Sequence, residues 1–248
     1  MRGKIGREAS IMNAWLLDLL VAMGDASSVE AVYAQTLMAA VRLEFEYCAY
    51  GVRTPWPVSR PAALMVNNFP ANWQERYTRY RYAQIDPTVQ RAAQSDKPFV
   101  WTPKLFASAP AFWEEAQGAG LRVGWAKSTF GGASQGGMLT LVRSATPLSR
   151  IELAAKEKPL RVLATVAHQR LSQLMLPVDF AKRGGTLTKR EVEVLKWTAD
   201  GKTTVEIGDL LGLSECTVRF HIRNVITKLN VANKTAAAVY AAMNGMLG

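Results

Sequence analysis

Cysteine and histidine are scarce in this chain, which holds Cys48 and Cys216, His168 and His221 and no others of either type. Two cysteines so far apart make no disulfide framework and match no metal-ligand spacing. Their free state suits a reducing cytoplasm, the expected location. Long apolar runs are missing as well. Ile11–Met23, preceded by Arg2, Lys4 and Arg7, has the look of a signal peptide, but Asp18 interrupts it. Within it Ile11, Trp15, Leu16, Leu19, Leu20 and Met23 recur at helical spacing, so an amphipathic packing helix is expected. Nothing else approaches the roughly 20 apolar residues of a membrane span, and no membrane partner is expected. The motifs of common enzymes are absent too: no Gly-x-Ser-x-Gly elbow, no Walker loop, no cluster of metal ligands. The glycine-rich stretch 131–137, GGASQGG, lacks the Lys-Ser/Thr of a phosphate loop and reads as a hairpin connection. No catalysis, cofactor or metal is expected.

What is present describes an ordinary globular protein with a basic surplus. Of 248 residues 49% are hydrophobic and 20% charged, enough for one large or two modest cores. Thirty Lys and Arg against 20 Asp and Glu give a net charge of +10. Such a surplus suits a polyanionic partner, either nucleic acid or a membrane surface.

Two regions of different character follow one another. Up to about residue 176, apolar β-prone stretches at Phe45–Val52, Ala62–Val66, Trp125–Phe130 and Met138–Val142 alternate with helical patterns at 11–23, 28–43, 70–82, 86–94 and 110–119. That mixture predicts an α+β architecture, an α-β-α sandwich with one mixed sheet. Ser149 with Glu152 reads as a capping box opening a further helix, which Pro159 should kink or interrupt. Pro177 and the pair Gly184–Gly185 mark Leu176–Gly185 as a linker. The expected division is therefore 11–176, a linker at 177–186, and 187–248.

The last segment reads as an all-α four-helix module. Thr188 with Glu191 and Thr203 with Glu206 form capping boxes, and Gly212 suits a left-handed helix end. Ser214 caps a longer helix with an apolar stripe of Val218, Ile222, Val225, Ile226 and Leu229, and Asn233 caps a fourth. Two helices joined by a tight turn at 211–214 match the helix-turn-helix pattern. Opposite the stripe, Arg219 and Arg223 stand four apart and so share a side. An Arg can bond guanine O6 and N7 together, worth about 1–3 kcal/mol of discrimination per good pair. Glu215, Cys216 and Thr217 lie where recognition helices meet base edges. Lys202, His221, Asn224 and Lys228 are expected to meet phosphates, which position without specifying. A solvated basic face in a plain helical bundle would show the same arginine pair.

These residues resemble a known family. The run 187–202, LTKREVEVLKWTADGK, with EIG at 206–208 and TVRFHI at 217–222, is similar to the LuxR-type helix-turn-helix. Upstream, NFPANWQERY at 68–77, YAQIDPT at 82–88 and FVW at 99–101 resemble the ligand pocket of acyl-homoserine-lactone receptors. FWEEA at 112–116, GLRVG at 120–124 and GGMLT at 136–140 extend that resemblance. It implies a quorum-sensing regulator that binds an N-acyl-homoserine lactone and, as a homodimer, a two-fold symmetric DNA operator, with RNA polymerase as a further partner. A response regulator shares the output module, but its acidic phosphorylation cluster is not recognisable here.

By resemblance, the Trp73 indole N–H donates to the lactone carbonyl, Asp86 accepts the amide N–H, and Tyr77 with Thr140 serves the acyl carbonyl. Each buried polar atom needs such a partner, because an unpaired amide costs a few kcal/mol. Trp101, Phe112 and Leu121 would wall the ring, with Ala49, Gly51 and Val89 near the acyl chain. Read from the residues alone, Trp101 and Phe112 pass for core, Trp73 and Tyr77 for one apolar helix face, and Asp86–Pro87 for a turn or helix start. Phe69 stands where some relatives carry Tyr, which removes a polar contact. The helix 149–175 and the fourth helix of the module are the two candidate dimer contacts.

Overall fold

The structure is a computed structural model that describes residue 15 and residues 17–54, 57–130, 136–176 and 186–247. It separates into two compact units, the first made of most residues up to Met175 and the second chiefly of those from Leu176 on. Residues 177–185 of the expected linker at 177–186 and most of the glycine-rich connection lie outside the described residues.

In the first unit, α1 (17–25) leads to α2 (Val29–Arg42), which Ser28 caps by accepting the Ala31 amide at 3.1 Å. The packing stripe expected of α1 is real but narrower. Trp15, Leu19 and Met23 are buried, whereas Leu20 is 39% exposed; Ile11 and Leu16 lie outside the described residues. Strands β1 (Tyr47–Arg53), β2 (Ala63–Asn67), β3 (Phe99–Val100), β4 (Val123–Phe130) and β5 (Gly136–Arg143) form an antiparallel sheet in the order β2-β1-β5-β4-β3. The expected mixed sheet is thus antiparallel throughout its described pairs. Between β2 and β3 run α3 (Ala71–Arg79), a short 3-10 turn (Tyr82–Gln84) and α4 (Pro87–Gln94); α5 (Pro110–Gly118) precedes β4.

Register decides what each face of the sheet carries, because paired residues point the same way and neighbours along a strand point oppositely. Ala49 pairs with Thr140, Thr140 with Ala126, and Ala126 with Phe99. This front face also holds Gly51, Gly124, Ser128 and Met138. The back face carries Tyr50, Val52, Trp125, Leu139 and Leu141, all buried. A 26-residue helix, α6 (Arg150–Met175), covers that back face beside α2 and buries Leu160, Leu163, Ala164, Ala167 and Leu171. It runs on through Pro159, so the expected interruption does not occur.

The capping box expected at the start of α6 is half formed. Ser149 Oγ accepts the Glu152 amide at 3.1 Å, but the Glu152 carboxylate turns to Arg143, with N···O distances of 2.9 and 2.8 Å, and to Lys156 at 2.7 Å. Lys156 also meets Glu44, and near the far end Arg170 donates to the carbonyls of Met23, Gly24 and Ala26. Both ends of α6 are therefore tied to the segments around α2.

The second unit comprises α7 (Lys189–Ala199), α8 (Thr204–Leu211), α9 (Glu215–Leu229) and α10 (Lys234–Met243). Thr188 and Glu191 satisfy each other's backbone in a full capping box, and Thr203 and Glu206 repeat it. Ser214 and Asn233 cap α9 and α10. Gly212 ends α8 at φ 64°, the left-handed region open to glycine. Gly208 matters for space instead, since a Cβ there would lie 2.7 Å from the Leu213 carbonyl oxygen at the turn. Val194, Ile207 and Val218 form one small core, and Leu195, Val225, Leu229, Ala237 and Tyr240 belong to a second.

Candidate ligand pocket and nucleic-acid interface

On the front face, α3 and α5 bring aromatic rings together over the sheet. Trp73 lies 5.5 Å from Phe112 and 6.0 Å from Tyr77, measured between ring centroids. Tyr82 joins them at 5.8 Å from Trp73 and 5.2 Å from Phe112. Leu121, Phe106 and Val142 complete a buried cluster, with Tyr47, Phe69, Tyr77 and Trp101 packed against it. Outside it, Tyr82 donates to Glu115 at 2.6 Å and Arg76 pairs with Glu115 at 2.9 Å, pinning α3 to α5.

Into this apolar surround the chain places one buried carboxylate. Asp86 is 7% exposed and caps α4: its Oδ1 accepts the Thr88 amide at 2.8 Å and the Thr88 hydroxyl at 2.7 Å, while Oδ2 accepts the Tyr77 hydroxyl at 2.9 Å. Burial raises its pKa, outweighing those hydrogen bonds, and burial likewise pushes the Tyr77 hydroxyl upward. A donor reaching Oδ2 would stabilise the charge that burial disfavours. The Tyr77 proton is already given to Asp86, so it cannot serve an acyl carbonyl at the same time. Nearby, the Trp101 indole nitrogen is buried without a hydrogen-bond partner, a state that costs roughly 1–3 kcal/mol.

Of the residues expected to form the pocket, Trp73, Tyr77, Trp101, Phe112 and Leu121 converge in this cluster, and Asp86 is bonded to Tyr77. Thr140 and Ala49 are paired on the front face. Gly51 lies two residues on, opposite Met138, and Val89 is half-buried on α4; neither belongs to the cluster. Sequence reasoning passed over Ala126 and Ser128, which with Gly124 continue the small-residue row onto β4. Their alternation within a strand already recognised was the available signal. Gly124 is demanding, because a Cβ there would meet the Trp101 ring at 2.2 Å.

In the second unit, the exposed residues of α9 are Cys216, Arg219, Phe220, Arg223 and Thr227. At 100° per residue the first four span an arc of about 100°. His221 and Asn224 are half-buried beside it, and Thr217 shares a hydrogen bond with the Ser214 hydroxyl. Glu215 does not lie free for base edges. Its Oε1 accepts from Thr204 at 2.8 Å and from Arg219 at 2.7 Å, and these contacts lower its pKa in that order. Glu215 thereby orients Arg219 and ties the start of α9 to α8.

Lys228 also departs from expectation. Its Nζ lies 2.6 Å from Glu191 and 3.4 Å from the Thr186 carbonyl, so it holds α9 to α7 and is no free phosphate contact. The Glu191 side chain is only 3% exposed; burial works against its charge, but Lys228 and the Thr188 cap outweigh burial and lower its pKa. Lys202 remains near the surface, 3.9 Å from Glu206.

Similarity to known proteins decides the family. Autoinducer binding domains match residues 28–171, and bacterial regulatory proteins of the luxR family match residues 185–241. The chain belongs to the LuxR family of transcriptional regulators. It is 40% identical over 238 residues to the transcriptional activator protein AnoR of Acinetobacter nosocomialis, spanning 95% of this chain and 100% of AnoR. It is 32% identical to the regulatory protein SdiA of Escherichia coli over 94% of this chain and 97% of SdiA. A crystal structure of SdiA superposes with a TM-score of 0.78, covering 95% of this chain and 98% of that one. SdiA in complex with octanoyl-rac-glycerol gives 0.80, covering 94% and 96%. This LuxR-type chain is thus a ligand-responsive, DNA-binding regulator of transcription and not an enzyme. Among its described residues no helix is long and apolar enough to cross a membrane.

Proposed function

We propose that this regulator binds an N-acyl-homoserine lactone between α3, α4 and the small-residue face of the sheet, and so controls quorum-sensing genes. The observation carrying the proposal is the buried Asp86 carboxylate, set among aromatic rings beside a sheet face of Ala49, Gly51, Ala126 and Thr140. A carboxylate that burial disfavours is served by an amide N–H, and Trp73 supplies the lactone carbonyl with a donor. In this reading the ligand N–H takes Asp86 Oδ2, and the Tyr77 hydroxyl turns with Thr140 to the acyl carbonyl. The acyl chain passes over the small residues toward Gly51 and Val89, and the unpaired Trp101 N–H faces the head group. CepR2 from Burkholderia cenocepacia, 34% identical to this chain, is an N-acylhomoserine lactone dependent transcription factor of the LuxR family. The octanoyl-rac-glycerol bound to SdiA is also an acyl chain on a small polar head.

The protein acts in the cytoplasm as a homodimer, because one short helix reads too few base pairs for genomic specificity. The dimer forms through α6 or α10, reads a two-fold symmetric operator with Arg219 and Arg223, and engages RNA polymerase; Lys202, His221 and Asn224 meet phosphates. It works with no cofactor beyond the effector.

Thermal melts test the ligand. A cognate lactone at a hundredfold excess over its Kd stabilises by about 2.7 kcal/mol. The ring-opened acid and octanoylglycerol are the comparison ligands. An upward shift with the lactone well beyond either is expected. Equal shifts with lactone and ring-opened acid would show that the ring is not recognised.

A further inference from the structure

Phe220 is 59% exposed on α9, although nothing about an ordinary helical bundle calls for a bare phenyl ring there. At 100° per residue it forms one edge of the exposed arc, about 40° beyond Cys216, with Arg223 and then Arg219 on the other side of that cysteine, and the His221 ring lies 5.8 Å away. The charge around it is modest. From Leu187 on, the chain has eight Lys and Arg against six Asp and Glu. Of those cations, Lys228 is spent on Glu191, Arg190 on Glu193, and Arg219 leans on Glu215. A surface with so little free charge gains from apolar contact with the duplex. The apolar group a major groove offers is the thymine C5-methyl, and phenylalanine is among the side chains that contact it.

We infer that Phe220 reads a thymine C5-methyl group beside the base pairs contacted by Arg219 and Arg223, so that the site read by α9 includes a preferred thymine. The inference rests on α9 being the reading helix, as proposed above. It assigns Phe220 a role in specificity separate from that of the arginines, because a methyl group offers no hydrogen bond and a guanine edge no methyl.

The test pairs protein and DNA changes. The full chain, saturated with N-octanoyl-homoserine lactone, selects a binding duplex from a random pool, and each thymine of that duplex is then replaced singly by deoxyuridine. Deoxyuridine keeps the pairing and removes only the methyl group. Fluorescence anisotropy gives Kd for wild type, Phe220→Ala, Phe220→Leu and Arg219→Ala. The wild type should weaken about fourfold at one thymine of a half-site, which is about 0.8 kcal/mol for a buried carbon. Phe220→Ala should bind the parent duplex more weakly and ignore that replacement, while Phe220→Leu keeps part of the sensitivity. Arg219→Ala should bind the parent duplex more weakly yet lose the same further factor on that deoxyuridine replacement as the wild type does. The inference is overturned if Phe220→Ala binds the parent duplex like wild type, or if both lose the same factor on deoxyuridine. Should Arg219→Ala lose specificity while no thymine matters, Phe220 alone has been misassigned. Should both variants bind as wild type does, α9 is not the reading helix.

Discussion

Replacing Lys228 by Met removes the ammonium and keeps most of the apolar stem, leaving the Glu191 carboxylate without its cation. The Lys228 side chain is 33% exposed and that of Glu191 3%, with 2.6 Å between the charges. Breaking a fully buried pair costs roughly 3–5 kcal/mol and breaking a surface pair about 0–1 kcal/mol. One partner inside and one partly screened by water gives a cost of about 2 kcal/mol, between those limits. For a unit of this size each kcal/mol moves Tm by about 4–8 °C, so the transition of the helical module should drop by roughly 8–16 °C. Calorimetry of the full chain reads it, and Glu191→Gln with the double variant completes a cycle that isolates the coupling. Gln at position 191 still reaches back to the Thr188 amide, so the cap survives. DNA binding measured well below the transition should keep the wild-type salt slope. If Lys228→Met melts with the wild type while that slope falls by about 0.9, the lysine holds a phosphate and the assignment to Glu191 is refuted.

Asp86→Asn keeps an oxygen to cap α4 but loses the charge, and the lactone dose-response should shift by about 2 kcal/mol, roughly thirtyfold, in a reporter assay at equal protein level. Because burial raises the Asp86 pKa and a ligand N–H favours the charged form, lactone affinity should weaken as pH falls. Titrations across mildly acidic pH read the sign, and stronger binding in acid would refute it. Gly124→Ala places a methyl group inside the Trp101 ring, so the indole must move, at a cost of about 1–3 kcal/mol in Tm measurements and with a weakened lactone response. Arg143 and Lys156 pull Glu152 down to about 2 from its ordinary 4.5, so its stabilisation is complete above the ordinary value and fades as pH falls toward 2. Melts of Glu152→Gln should lie below wild type at neutral pH and converge with it in acid.

Legibility followed the distance between partners. Thr188 with Glu191, Thr203 with Glu206 and the Ser214 cap are local exchanges within three residues, and each stands where the sequence pattern puts it. Glu152 has the same spacing from Ser149, yet Arg143 on β5 takes its carboxylate, a competitor that no local pattern reveals. The pairing of Lys228 with Glu191 was out of sight for the same reason, the two lying 37 residues apart. Within the front face the aromatic residues were recoverable through resemblance. The row Ala49–Thr140–Ala126 exists only once β1, β5 and β4 are in register, so Ala126 stayed out of sight. Pro159 was expected to kink or interrupt its helix; it does not interrupt it, being buried with Leu160 and Leu163, and the packing of α6 carries the helix past one missing donor.

The strict alternation along β1, β4 and β5 has an evolutionary consequence. Odd and even positions of these strands answer to different constraints: Tyr50, Leu139 and Leu141 hold the back of the sheet against α6, while their neighbours Ala49, Ala126 and Thr140 shape the opposite face. A point mutation at the latter positions changes the room above the sheet and leaves the interlocked core behind it intact. Descendants of this chain can therefore explore new effectors by single steps, each short of the cost of refolding the receptor.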